Sequence, residues 1–229
     1  MSSATKELFK AAIKGELETV KDLLDTGVDV NALDPSSTTA LMWAAAEGYL
    51  EIVKILLRSG ADVNIKNEAG YTALMYAAES KYREIVILLL DRGATATDRN
   101  HYGETLLMSL ARHGETLLVK QLLEAGGEIN ATNNIGDTAL YLAADNGKVD
   151  TVEALIERGA EVNTQNIGGV TPLMTAAARG DLETLEVLLE RGADFSLKNR
   201  WGNTALKEAK KSFNAQKAVE LLKKAGASE

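Results

Sequence analysis

The chain has 229 residues, 45% hydrophobic and 25% charged, the composition of a folded globular protein rather than a disordered one. It contains no cysteine, which excludes disulfides, thiolate metal sites and cysteine nucleophiles. A formal net charge of −8 argues against nonspecific nucleic-acid binding, which needs a basic surface to displace phosphate counterions.

In chain order, the first 33 residues place Leu8 and the Leu23-Leu24 pair on an apolar side and Lys6, Glu7, Lys10 and Lys14 on a polar one. From Thr39 the pattern is fuller. Thr39 is suited to cap a helix, and Ala40 to Glu47 has good helix propensity and stops at Gly48. Leu50 to Arg58 sets Ile52, Val53, Ile55, Leu56 and Leu57 on one face of a second helix. That helix ends before Gly60, where a positive φ is tolerated. Isolated helices shorter than about 12 residues are marginal in water, so both need neighbours.

The neighbours are further copies. Thr39, Thr72, Thr105, Thr138, Thr171 and Thr204 follow one another at a constant spacing of 33, and the leucine two residues on repeats with them, from Leu8 and Leu41 to Leu206. The outer-helix pair recurs from Leu23-Leu24 to Leu221-Leu222. A fixed period of this length is the mark of a solenoid, in which each unit buries its apolar face only against the next. Ala44-Ala45, Ala77-Ala78, Ala143-Ala144 and Ala176-Ala177 allow close approach of successive inner helices.

The irregularities are local. Ser37 and Lys81 stand where other units carry glycine, and a non-glycine residue at positive φ costs on the order of 1 kcal/mol. Thr95-Ala96-Thr97 replaces the usual Asp-Val-Asn, and Leu106 and Leu110 add bulk where alanine is normal. The junction of the third and fourth units, residues 81–112, is therefore expected to be the softest. Phe213 replaces a linking glycine, and residues 199–229 hold seven basic against three acidic side chains in an otherwise acidic chain, which reads as a polar end cap.

A unit reading (D/N)-x-x-G-x-T-x-L-x-x-A-A-x-x-G, then an outer helix, then G-A-D-V-N, resembles the ankyrin repeat over essentially the whole chain. The resemblance implies an all-α solenoid of about seven 33-residue helix-turn-helix units in one domain. Residues 1–33 would be the N-terminal cap, 34–198 five internal repeats and 199–229 the C-terminal cap. It also implies projecting β-hairpin-like loops, and a concave face made by those loops and the inner helices. Met42, Met75, Met108, Tyr141, Met174 and Lys207 replace the histidine usual in the family, so apolar packing takes over from its hydrogen bonds.

No catalytic motif is present: no Gly-rich phosphate loop after a strand, no G-x-S-x-G, no H-E-x-x-H. Most carboxylates read as a solvated face. His101 and His113, with Glu104 or Glu79, form the one arrangement that approaches a metal site, but two histidines without a third strong ligand read as polar surface, and no cofactor is expected. Asn64, Asn130 and Asn163 sit where some ankyrin proteins are hydroxylated, although such asparagines mostly stabilise the loop.

A partner-binding surface is better supported. The positions that recognise partners in the family carry Trp43, Tyr76, Glu79, Arg112, His113, Asp145 and Arg179 on inner helices, and Tyr71, Tyr102, Glu104, Asp137 and Trp201 in loops. Tyr, Trp and Arg are the types that most often anchor interfaces. Trp43 and Tyr76 read equally well as packing between adjacent inner helices. The expected function is that of a noncatalytic adaptor, scaffold or inhibitor that binds another protein. The alternatives are a subunit of a self-assembling complex and a ligand- or metal-responsive regulator. No apolar run nears the roughly 18 residues of a membrane span, and MSSATKELFK lacks the profile of a secretory signal. A cytoplasmic protein, monomeric on its own, is expected.

Overall fold

A hydroxyl opens each inner helix. The Oγ1 of Thr39, Thr72, Thr105, Thr138, Thr171 and Thr204 accepts a bond from the backbone N–H three residues on, at 3.1–3.4 Å. Ser2 does the same for Thr5 in the first helix. Each cap satisfies a donor that the helix itself cannot, a contribution of about 1 kcal/mol.

The computed structural model describes residues 2–124 and 126–228, and the chain divides into two compact units, Met1–His101 and Tyr102–Glu229. The first contains α1 (Ser3–Lys14), α2 (Leu17–Asp25), α3 (Ala40–Glu47), α4 (Leu50–Arg58), α5 (Ala73–Glu79) and α6 (Arg83–Asp91). The second contains α7 (Leu106–His113), α8 (Thr116–Glu124), α9 (Ala139–Asp145), α10 (Val149–Glu157), α11 (Pro172–Arg179), α12 (Leu182–Glu190), α13 (Ala205–Ala209) and α14 (Ala215–Lys224). Among the described residues there is no β-strand.

In the first unit α1, α3 and α5 form an inner row and α2, α4 and α6 an outer one. Ala11, Ala44, Ala45, Ala77 and Ala78 are fully buried where the inner helices meet, and Leu8, Leu41, Leu74, Ile52, Leu56, Ile85 and Leu89 fill the space between the rows. The second unit repeats the plan, with α7, α9, α11 and α13 inside and α8, α10, α12 and α14 outside. Leu106 and Leu110, the bulky substitutes for alanine, are both buried in it. α13 has only five residues and depends wholly on its packing against α11 and α14.

Loops are built by side chain as much as by backbone. Asn67 Oδ1 accepts from the N–H groups of Ala69 and Tyr71 while the Asn67 N–H reaches the Tyr71 carbonyl, a turn closed in both directions. Asp34, Asn133, Asn166 and Asn199 close theirs the same way. Further along, Asn163 Oδ1 accepts from the Asp194 N–H at 2.8 Å and its Nδ2 donates to the Gly192 carbonyl, clamping one repeat to the next; Asn31 and Asn64 make the same pair of bonds. Asn130 accepts from the Glu161 N–H. Thr97 stands at the corresponding position and has no carboxamide to bond with.

The linking residue between inner and outer helix is left-handed. Gly48 has φ +81, and a Cβ there would lie 2.4 Å from the Tyr82 ring, so glycine is required for conformation and for room. Lys81 and Ser37 adopt φ 63 and 60 without being glycine, as their positions in the repeat predict. Lys81→Gly should therefore raise stability by about 1 kcal/mol and Gly48→Ala lower it by about 1–3 kcal/mol, both read from urea denaturation. The boundary between the two units falls inside residues 81–112. Backbone amides in that stretch should exchange with solvent faster than their equivalents elsewhere; uniform protection along the chain would contradict a soft junction.

Candidate functional site

On the inner helices, one position recurs every 33 residues as Trp43, Tyr76, Ser109, Leu142, Thr175 and Glu208; it is half-buried at Trp43, Tyr76 and Glu208 and buried at Ser109, Leu142 and Thr175. Nine residues before it stands the Asp or Asn that closes the loop, and the two are joined wherever the side chain is long enough. In the first unit Trp43 Nε1 donates to Asp34 Oδ2 at 3.0 Å and Asn67 Nδ2 donates to the Tyr76 hydroxyl at 2.8 Å. In the second, Asn199 Nδ2 donates to Glu208 Oε1 at 3.2 Å. Trp43 and Tyr76 are half-buried: each ring rests on its neighbours and keeps part of its surface open.

A second link joins the last loop residue to the end of the inner helix, eight positions on. The Tyr71 hydroxyl donates to Glu79 Oε1 at 2.9 Å, and the Tyr71 and Tyr76 rings lie 5.2 Å apart, tilted by 39°. In the second unit Arg112 pairs with Glu104. At the next step the positions hold Asp137 and Asp145, a like-charged pair.

Electrostatics follow from these partners. Burial pushes the Asp34 carboxyl up, but hydrogen bonds from Ser36, Thr38 and Trp43 outweigh it and leave the group below its ordinary value. Burial raises the Tyr76 hydroxyl, against the bond from Asn67, and the charges of Glu79 and Asp34 raise it further. Tyr141 is raised by burial and then by Asp137 and Asp145.

Asp137 is not where a loop carboxylate was expected. It is 5% exposed, covered from the next loop by Asn166, whose Nδ2 donates to its Oδ1 at 2.9 Å. Burial pushes its carboxyl above the ordinary value and the Asp145 charge adds to the push, opposed by hydrogen bonds with Asn166 and Asn133 and by the Arg112 charge. It therefore supports the site from beneath and leaves little surface for a partner to touch.

The other expected residues fall into two groups. Tyr102 and Trp201, at loop tips, are 65% and 72% exposed, and Arg179 is exposed at the end of α11. His113 is half-buried with Nδ1 2.9 Å from the Ser109 carbonyl, and Asp145 accepts from the Thr175 hydroxyl at 2.7 Å. His101 lies in the first unit and His113 in the second, and among the described residues no group of three or more His, Asp or Glu side chains is placed to hold a metal ion. Asn64, Asn130 and Asn163 serve the repeat-to-repeat clamps.

Sequence reasoning missed the supporting residues Asp34, Asn67 and Asn166; Phe213, expected in place of a linking glycine, is 96% exposed there. The signal that could have found Asp34 and Asn67 is the nine-residue interval between loop Asx and inner-helix residue, repeated with the period of the chain; the Asn166–Asp137 bond spans 29 residues and has no such local signal.

Family models for ankyrin repeats match the chain over residues 8–100, 95–166 and 155–209. Among solved structures, the crystal structure of the human ASB11 ankyrin repeat domain is 31% identical, with a TM-score of 0.85 over 93% of this chain and 96% of that one. No curated protein sequence matches. Among the described residues no helix is long and apolar enough to cross a membrane.

The Asp137 carboxyl predicts a pH effect. Its pKa is raised in the folded state, so its contribution to stability is complete below the ordinary carboxylate value and is lost as pH rises through the raised one. Asp137→Asn keeps an acceptor for Asn166 and removes the buried charge. The variant should be the more stable protein at pH 7, and its advantage should shrink as pH falls toward 4; thermal melts across that range check both statements.

Proposed function

Because the chain belongs to the ankyrin-repeat family, we propose that it is a noncatalytic protein-protein interaction module, an adaptor, scaffold or inhibitor, that binds a partner protein through the faces formed by its loops and inner helices. Ankyrin repeats are generally interaction modules rather than catalysts, and their regular part is spent on holding the stack together. The observation that carries the proposal is the exposure of large aromatic side chains, Tyr102 and Trp201, at loop tips. The Trp201 loop is fixed by paired side-chain and backbone bonds to Asn199, so that ring is presented from a rigid support and loses little conformational freedom on binding. The module works in the cytoplasm, as a monomer until it meets its partner.

The test is affinity capture from the native lysate with the wild type and a Tyr102→Ala, Arg179→Ala, Trp201→Ala triple variant. All three side chains are exposed, so the melting temperature should hardly move. Recovery of at least one partner should fall by about tenfold or more. Equal recovery of every partner would overturn the assignment of these residues to the binding face.

A further inference from the structure

The inner-helix face of the first unit carries two carboxylates, Asp34 and Glu79, beside aromatic rings. Asp34 and Glu79 make no ion pair with any described residue. Between them stand three half-buried rings, Trp43, Tyr71 and Tyr76, the last two in tilted contact at 5.2 Å. Tyr76 is tied to Glu79 through Tyr71, whose ring it contacts and whose hydroxyl donates to Glu79 Oε1.

Much of the surface's hydrogen-bonding capacity is already committed. The indole N–H is given to Asp34 and the Tyr71 hydroxyl to Glu79, while Tyr76 accepts from Asn67. Asp34 Oδ1 takes three donors, from the Ser36 N–H, the Ser36 hydroxyl and the Thr38 N–H. What remains for a guest is the open π surface of Trp43 and Tyr76, the charge of two carboxylates and the second oxygen of Glu79. A planar cation uses all three at once: it stacks on a ring, is drawn to the ring's negative face, and donates to a carboxylate from its edge. An ammonium is more strongly hydrated and presents no flat face, so it uses them less well.

The second unit shows what the same positions look like when the charge is matched from within. There the equivalents of Tyr71 and Glu79 are Glu104 and Arg112, which pair with each other. In the first unit the loop residue is neutral, so the Glu79 carboxylate keeps its charge for something outside the chain.

We propose that Trp43, Tyr71 and Tyr76, together with Asp34 and Glu79, form a receptor for an arginine side chain of the partner protein. The inference rests on the reading of the chain as a partner-binding module and adds the chemistry of one anchor residue. The guanidinium lies against the Tyr76 ring with an edge toward Glu79, and the Trp43 indole, held by Asp34, forms a wall of the site.

The test uses three blocked pentapeptides, acetyl-Gly-Gly-Xaa-Gly-Gly-amide, with Xaa arginine, its neutral isostere citrulline, or lysine. They are titrated into the full-length protein at millimolar concentration while the two indole N–H signals are followed by NMR. The arginine peptide should shift the Trp43 signal saturably and leave that of Trp201 in place. It should bind about tenfold or more tighter than the citrulline peptide, and more tightly than the lysine peptide. Glu79→Gln, which keeps an acceptor for the Tyr71 hydroxyl, should weaken arginine binding by about tenfold with an unchanged melting temperature. Citrulline binding as tightly as arginine, no shift at Trp43, or undiminished binding to Glu79→Gln would each overturn the receptor, and lysine matching arginine would overturn the guanidinium assignment. The capture test above concerns side chains of the other unit. Its success alongside failure here would remove the arginine receptor and leave the partner-binding reading standing.

Discussion

An eight- or nine-residue helix does not hold together in water, and among the described residues all but two of the helices are no longer than that. Each persists because one side is sealed by the helix beside it and by the helix of its own pair. That constraint explains which residues cannot vary: the fully buried alanines where inner helices meet, the leucines between the rows, and the threonines that begin the inner helices. It also explains where variation is free, at the loop tips and along the part of the inner helices that packing leaves half-buried or exposed. The residues proposed to meet a partner lie in those places.

The loop Asx residues join scaffold and surface. Asp34 closes its own turn and also holds the Trp43 indole; Asn67 does the same for Tyr76, and Asn199 for Glu208. A side chain braced in this way is placed before any partner arrives, which lowers the ordering cost of binding. The same bracing sets local electrostatics. Asp34 remains ionised despite partial burial because the bonds that build the loop also stabilise its charge.

The repeat made much of this legible in advance. The expected helices Ala40 to Glu47 and Leu50 to Arg58 have those bounds in the structure, and the threonine caps and the left-handed Ser37 and Lys81 stand where the alignment of copies puts them. The candidate site was less legible. Trp43 and Tyr76 could be read as anchors or as packing residues, and they are half-buried with their polar atoms bonded to loop residues that had drawn no attention. Asp137 looked like an ordinary loop carboxylate, yet the carboxamide of Asn166, 29 residues on, covers it.

Sequence alone thus determined the element order, the helix ends and the backbone positions needing positive φ, because these depend on local chemistry repeated at a constant spacing. Tertiary structure decided which carboxylates are free. Glu79 and Arg112 occupy the same place in their repeats, but one is left with its charge unmatched and the other is neutralised by Glu104. That difference arises from which side chains fold back onto the inner helix, and burial and charge pairing are properties of the packed neighbourhood rather than of any residue read by itself.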